Sequence, residues 1–322
     1  MMRNSILAAA AAALLLAPAS EAAAGKRFQA SITRTTYGIP HITANSWQGV
    51  GYGVAYAYAE DNLCLLAEEF ATVAGERSRH FGPEAKATLG FQEVDNLSSD
   101  VFFRAVIDLS ALRQELAAQG AESRALAEGY VAGYNRFLKD AGPQGIPAAC
   151  RGKDWVRPIT IDDLLRLTEK QMLLASSLAL APGIANAAPP GAVQTKVALA
   201  LPQPGELGLG SNGWAFGGDA TADGSGLVIG NPHFPWNGPS RFWQMHVTGP
   251  DGYDAMGVGI AGSPIPTLGF NKDVAWTHTV TAARHFTLHA LTLDPADPTR
   301  YIIDGQSVAM EPRTVSVPMP DG

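Results

Sequence analysis

Apolar and polar positions change rhythm along the chain. Phe28, Ala30 and Ile32 alternate with polar neighbours, the period of a half-buried strand. Tyr37-Gly38-Ile39-Pro40 is expected to end that strand, because proline removes a ladder donor. Ser46 is a good N-cap for a helix running towards Glu60. A second helix is expected behind it, with Leu63, Leu66, Phe70 and Val73 on one stripe and Gly82-Pro83 as its stop. Leu126, Tyr130, Tyr134 and Leu138 form the clearest helical stripe, within Ala121–Lys139. Thr160 followed by Asp162 and Asp163 marks another helix start, with acids where the helix dipole favours them. Leu164, Leu165, Leu167, Met172 and Leu173 would be its buried side. These positions are read as core packing, and residues 25–185 as a mainly helical unit.

From about residue 181 the rhythm dissolves. Prolines and glycines crowd together with few charges, the composition of an exposed connector, placed at residues 186–210. Beyond it the pattern is that of strands. Gly213–Phe216 and Gly226–Gly230 are short, while Trp243–Thr248, Ala275–Val280 and Phe286–Leu293 alternate. Asn271-Lys272-Asp273 marks a turn between two of them. Thr314–Val317 reads as a strand start, and the chain stops shortly afterwards. The expectation is an α+β protein of which residues 211–322 supply the start of a β-rich core, either as a truncated chain or as one portion of a longer precursor.

Composition narrows the function classes. The chain has 322 residues, 46% of them hydrophobic and 16% charged, with Lys+Arg 23 against Asp+Glu 30 and a net charge of -7. Such a chain can bury a core, and it lacks the basic footprint of a nucleic-acid binder. Residues 1–24 read as a secretory signal peptide: Arg3, then the apolar run Ile6–Ala17, then Ala22-Ala23-Ala24 for cleavage. That run is too short to span a bilayer as a helix. A periplasmic or secreted location follows, with no membrane insertion after signal removal. In such a compartment Cys64 and Cys150 are expected to form a disulfide, the alternative being two separate buried thiols.

The chemistry concentrates at a junction. The connector ends in Leu207-Gly208-Leu209-Gly210 and runs into Ser211-Asn212-Gly213-Trp214. If the Gly210–Ser211 bond is cut, Ser211 carries both a hydroxyl and a free α-amine. That amine titrates near neutrality, far below lysine, so it can accept the hydroxyl proton, through a water. One residue then supplies nucleophile and base. No G-x-S-x-G elbow is present.

Here the residues resemble a family. Ser211-Asn212-x-Trp214, Asn231-Pro232-His233-Phe234, Gly269-Phe270-Asn271 and Ala275-Trp276-Thr277-His278-Thr279 look like the β-chain opening of the penicillin acylase family of N-terminal nucleophile hydrolases. Tyr37–Ile42, Gly53–Asp61 and Glu76-Arg77 resemble the helical chain of the same family. The likeness runs from about residue 28 to the end and looks closest to the acyl-homoserine-lactone acylases and aculeacin A acylase. It implies an αββα four-layer sandwich, here incomplete, and a self-cleaved αβ heterodimer. Ser211 would be the nucleophile, with autocleavage at Gly210–Ser211. His233 would sit near the serine amine and assist processing. The backbone N–H of Val280 would stabilise the oxyanion, a role that is worth about 3 kcal/mol in the transition state. The resemblance places the second oxyanion donor, an asparagine side chain, and a neighbouring arginine beyond Gly322. The implied substrate is an N-acyl-homoserine lactone or a related N-acylated compound. β-Lactam side-chain removal is the runner-up, and an inactive secreted binding module of the same fold is the contrasting class.

Phe234, Trp236, Phe242 and Trp243 form a dense aromatic group, either core or an apolar pocket for an acyl chain, with Phe234 as the best substrate contact. Thr281–Phe286 offers no carboxylate where many relatives hold calcium, so no metal is expected there. His233, His246, His278, His285 and His289 lie close in sequence, but nothing in their spacing matches a zinc motif. Gly208–Gly213 and Gly257–Gly262 fit G-x-G-x-x-G formally, yet neither runs from a strand into a helix. No cofactor is expected.

Overall fold

The computed structural model describes residues 28–90, 92–174, 176–188, 190, 210–280, 287 and 289–322. The expected signal peptide at 1–24, most of the expected connector at 186–210, and Thr281–Phe286 with His285 lie outside the described residues. The fold class is α+β, as expected: helices pack on a six-stranded sheet, with smaller sheets beside it.

The chain opens with two strands rather than one. β1 (Ser31–Arg34) and β2 (Pro40–Thr43) pair antiparallel across a short helical turn at Thr36–Gly38. Pro40 therefore begins a strand instead of ending one. It stands at the first rung, where a missing N–H is tolerated. Tyr37 makes the reversal possible at φ 70°, a left-handed value uncommon for a non-glycine residue.

α1 (Trp47–Val73) starts where Ser46 predicts. The Ser46 hydroxyl accepts from the Gly49 N–H at 3.0 Å. The two expected helices are one span that leaves helical geometry at Asn62 (φ -139°, ψ 31°). It ends at Val73 rather than at Gly82, and a separate short helix, α2 (Arg77–Phe81), runs up to that glycine. A β-hairpin follows, β3 (Lys86–Leu89) with β4 (Gln92–Asp95), and then α3 (Asn96–Val106) and α4 (Leu109–Ala118).

α5 (Ala121–Gly145) lies against α1 almost backbone to backbone. A Cβ at Gly129 would stand 2.1 Å from the Gln48 carbonyl oxygen, and one at Gly133 2.1 Å from that of Tyr52. Only glycine permits that approach. The core fills the space around this crossing: Val54, Leu66, Phe70, Tyr130 and Tyr134 are buried, and the Phe70 and Tyr134 rings meet edge to face at 5.4 Å. Fully burying such a side chain contributes roughly 1.5–3 kcal/mol.

α6 (Ile161–Leu173) begins with a capping box between Thr160 and Asp163, as the acids in its first turn suggest. A short helix, α7 (Ala181–Ala185), closes the helical part. The expected disulfide is present. Cys64 in α1 is bonded to Cys150, with Cα atoms 5.5 Å apart and a sequence separation of 86. A loop of that length contributes about 4 kcal/mol in the chain-entropy account.

The second half adds β5 (Gly210–Phe216), β6 (Leu227–His233), β7 (Trp243–Thr248), β8 (Asp254–Gly259), β9 (Leu268–Phe270) and β10 (Ala275–Trp276). The sheet order is β1-β2-β7-β8-β9-β10, so strands from both sides of the connector share one sheet. Its seam is the parallel pair β2 and β7, in register at His41 and His246. β5 and β6 form a separate antiparallel hairpin. β11 (Thr292–Asp294), β12 (Asp297–Ile303) and β13 (Gln306–Ala309) make a third, small sheet.

Two strands expected from alternation are shorter or missing. Ala275–Val280 keeps only its first two residues in the sheet, because Thr277 and Thr279 turn onto the β5–β6 hairpin. Thr314–Val317 forms no strand. Pro312, Pro318 and Pro320 remove ladder donors on both sides of it, and Arg313 donates to the Ala105 carbonyl at 2.7 Å instead. Among the described residues, no helix is long and apolar enough to cross a membrane.

Candidate active site

The β5–β6 hairpin brings the predicted residues together. Its register pairs Gly210 with His233, Ser211 with Pro232, Asn212 with Asn231 and Gly213 with Gly230. Residues directly opposite share a face, and faces alternate along the strand. Ser211, Pro232, Gly213 and Gly230 therefore occupy one face. Gly210, His233, Asn212 and Asn231 occupy the other.

On the first face, the Ser211 hydroxyl donates to the Gly210 carbonyl oxygen at 2.5 Å. The side chain thus lies against the carbonyl that precedes it. Two rungs further on, the facing glycines leave a notch into which Thr277 and Thr279 settle. A Cβ at Gly213 would meet the Thr277 and Thr279 methyls at 3.0 and 3.3 Å, and one at Gly230 would meet Thr277 Oγ1 at 3.0 Å. The Thr277-His278-Thr279 stretch therefore runs along the Ser211 face, and Val280 follows it directly, 45% exposed.

On the second face, the His233 ring covers the carbonyl-side residue of the same peptide bond. Its Nδ1 stands 2.7 Å from where a Cβ of Gly210 would be, so the glycine makes room for the ring. His233 Nε2 lies 3.3 Å from Asn231 Nδ2. Ser211 and His233 are thus on neighbouring rungs with the Gly210–Ser211 bond between them, rather than side by side on one face.

Phe234 leaves the hairpin and stacks on Phe242, with ring centroids 4.8 Å apart at 20°. The aromatic group read from the sequence divides at this point. Trp236 is 89% exposed, and Trp243 packs against Tyr58 at 5.1 Å. Burial pushes the Tyr58 phenol well above its ordinary range, so it stays protonated here.

Two features have weak sequence signals. A buried ion pair joins Lys170 of α6 to Glu69 of α1, and it lines a small cleft with Leu167, Leu174, Ile260 and Ala261. Glu69 sits inside an apolar helical stretch, which is the only hint that it is buried. Asp61 and Asn62 contact the 241–243 segment, and they look like solvent-facing helix residues in sequence.

The histidines do not converge. His246 bonds His41 through Nδ1 at 2.8 Å and Asp254 through Nε2 at 2.6 Å. Among the described residues, no three His, Cys, Asp or Glu side chains stand where they could hold one metal ion. After Gly257 the chain ends β8 and turns without entering a helix, and the buried Tyr130 hydroxyl accepts from the Gly262 N–H at 3.0 Å.

The family model described as penicillin amidase matches residues 29–322, and the chain belongs to that family. The chain is 47% identical over 311 residues to "Acyl-homoserine lactone acylase PvdQ" of Pseudomonas syringae pv. syringae (strain B728a), covering 93% of this chain and 39% of that protein. It is 40% identical over 316 residues to "Aculeacin-A acylase" of Actinoplanes utahensis, again 93% of this chain and 39% of that one. Identity to "Penicillin acylase 2 proenzyme" of Pseudomonas sp. (strain SE83) is 26% over 287 residues, 76% of this chain and 35% of that protein. A solved thermostable penicillin G acylase from Alcaligenes faecalis aligns with a TM-score of 0.39 and 25% identity, over 46% of this chain and 74% of that one. The chain thus spans about two fifths of the length of the first two relatives.

Proposed function

We propose that the protein is a self-processed N-terminal serine amidohydrolase that removes the acyl chain from an N-acyl-homoserine lactone or a related N-acylated compound. One observation carries this reading: the Ser211 hydroxyl lies 2.5 Å from the carbonyl oxygen of Gly210, beside the bond whose cleavage would free the Ser211 amine.

In the processing step, Ser211 Oγ attacks the Gly210 carbonyl carbon. The C–N bond breaks, the hydroxyl proton passes to the Ser211 nitrogen, and an ester links Gly210 to Oγ. Water hydrolyses that ester, leaving a Gly210 carboxylate and a free α-amine on Ser211. His233, packed on Gly210, is placed to handle the proton. In turnover the freed amine takes the proton of Oγ as it attacks the substrate amide, through a water. An acyl ester forms, the amine product leaves with the proton, and water releases the acid. The Val280 N–H would serve as an oxyanion donor, supported by the run of Thr277–Thr279 along the Ser211 face. Phe234 would line the acyl site.

The products would be an α-chain of residues 25–185 and a β-chain beginning at Ser211, with the 186–210 connector released. The β2–β7 pairing would help hold the two together. A periplasmic or secreted location fits the N-terminal apolar run and the Cys64–Cys150 bond. Lactone acylase is preferred to β-lactam acylase because the relative named for the first is 47% identical and the one named for the second 26%. An inactive module of the same fold would remain uncut.

N-terminal sequencing and intact mass of the purified full-length protein test the proposal. A chain beginning Ser-Asn-Gly-Trp is expected, and Ser211→Ala is expected to stay in one piece and to hydrolyse no N-acyl substrate. Processing or turnover that survives Ser211→Ala would refute it.

A further inference from the structure

α1 breaks at one residue, and that break meets the segment that follows the candidate hairpin. Asn62 leaves helical geometry, is 8% exposed, and its Oδ1 accepts from Arg241 Nη2. The preceding residue, Asp61, accepts from the Trp243 indole N–H at 2.8 Å and from Arg34 Nη1 at 3.1 Å. One turn earlier, the Tyr58 ring meets Trp243 edge to face at 5.1 Å. A single turn of α1 therefore grips residues 241 and 243 and leaves Phe242 between two fixed neighbours.

Phe242 is the residue on which Phe234 stacks. Phe234 follows His233, whose strand partner is Gly210. The order of contacts runs from the helix break to Arg241 and Trp243, then to Phe242, Phe234 and the hairpin that carries Ser211. Asp61 is itself held, because Arg34 also bonds Glu60 at 2.6 Å and the Gly38 carbonyl at 2.7 Å. The helix opens at the residue whose buried amide meets Arg241.

We infer that Asn62, assisted by Asp61, is a positioning residue that sets the depth of the Phe234–Phe242 stack and thereby the acyl-chain length that the enzyme accepts. The inference rests on the acylase reading and goes beyond it by naming what fixes the aromatic pair. Asn62 touches neither substrate nor Ser211. It acts through the placement of Phe242. Removing its acceptor leaves Arg241 without its partner and lets Phe242 shift, which changes the far end of an acyl site more than the end near Ser211.

The test uses full-length protein with a short-chain and a long-chain N-acyl substrate. Asn62→Ala is expected to be cut at Gly210–Ser211 to the wild-type extent and to keep the short-chain kcat and KM. Its KM for the long chain should rise roughly tenfold, the scale of a lost apolar fit in a pocket. Asn62→Asp, which keeps an acceptor for Arg241, should restore the long-chain KM to near wild type. Equal losses on both substrates, an unchanged long-chain KM, or no rescue by Asn62→Asp would each overturn the inference. Failure of the acylase reading shows differently: wild-type protein would yield no chain beginning at Ser211 and would hydrolyse neither substrate. In that event a stability cycle of Asn62→Ala with Phe242→Ala decides the positioning claim. Non-additive effects uphold the coupling, and additive ones refute it.

Discussion

The helical body and the β5–β6 hairpin are built on opposite principles. In the body, α1 and α5 meet at glycines, and Phe70, Tyr130 and Tyr134 are sealed around the crossing. A disulfide and a buried ion pair add cross-links between elements. In the hairpin, Trp214, Phe216, Leu227 and Ile229 remain 39–50% exposed among the described residues, and a threonine pair is set into a glycine notch. Among the described residues, the sealed core thus lies in one region and the candidate chemistry in the other.

That contrast can be broken at the core first. Phe70→Ala removes a fully buried ring from the α1–α5 crossing and is expected to cost roughly 3–5 kcal/mol. Chemical denaturation would show it as a lower midpoint with little change in slope. A loss below about 1 kcal/mol would mean that the body does not depend on this crossing.

A smaller effect is expected at the start of α6. Burial works to raise the Asp163 carboxyl, but hydrogen bonds from Arg157 and Thr160 outweigh it and hold the group below its ordinary range. A lowered folded value means that the contribution is fully present above the unfolded carboxylate range, near pH 4, and is lost as pH falls through the folded value. Arg157→Ala should cost about 1 kcal/mol at neutral pH, since the arginine is partly exposed. The gap between variant and wild type should close as the pH drops below that range. A gap that stays constant with pH would show that Arg157 acts by packing alone.

The sequence showed most of the body because its signals are local. Ser46, Thr160-Asp162-Asp163 and the Leu126–Leu138 stripe each set a helix by contacts within a few residues, and each helix formed. The hairpin that carries Ser211 was legible in part: both strands were expected, but β5 begins at Gly210 rather than Gly213, and β6 runs on to His233 rather than ending at Gly230. What escaped depends on distant partners. The break at Asn62 answers Arg241, which is far away in the chain, and the helical pattern around it hides it. The early exit of Thr277 from the sheet is set by Gly213 and Gly230, and no alternation rule contains that information. The opposed faces of Ser211 and His233 follow from a register that only the paired strands define.

The glycine notch offers the sharpest separation of the two regions. Gly230→Val would place a Cβ 3.0 Å from Thr277 Oγ1 and add two methyls beyond it, so the Thr277–Val280 stretch must lift from the Ser211 face. Valine suits a strand, and this face of the hairpin is only partly covered, so the fold should absorb the change. Global stability is expected to shift by less than about 1 kcal/mol, or a few degrees in Tm. Under the proposed mechanism the Val280 donor would then lose its aim, and the rate of acyl transfer should fall by roughly a hundredfold, the scale of one misplaced oxyanion donor. Turnover by matured protein, measured beside a thermal melt, checks both halves. A melt displaced as far as that of Phe70→Ala would show that the hairpin belongs to the core after all. Unchanged turnover would detach Val280 from the chemistry.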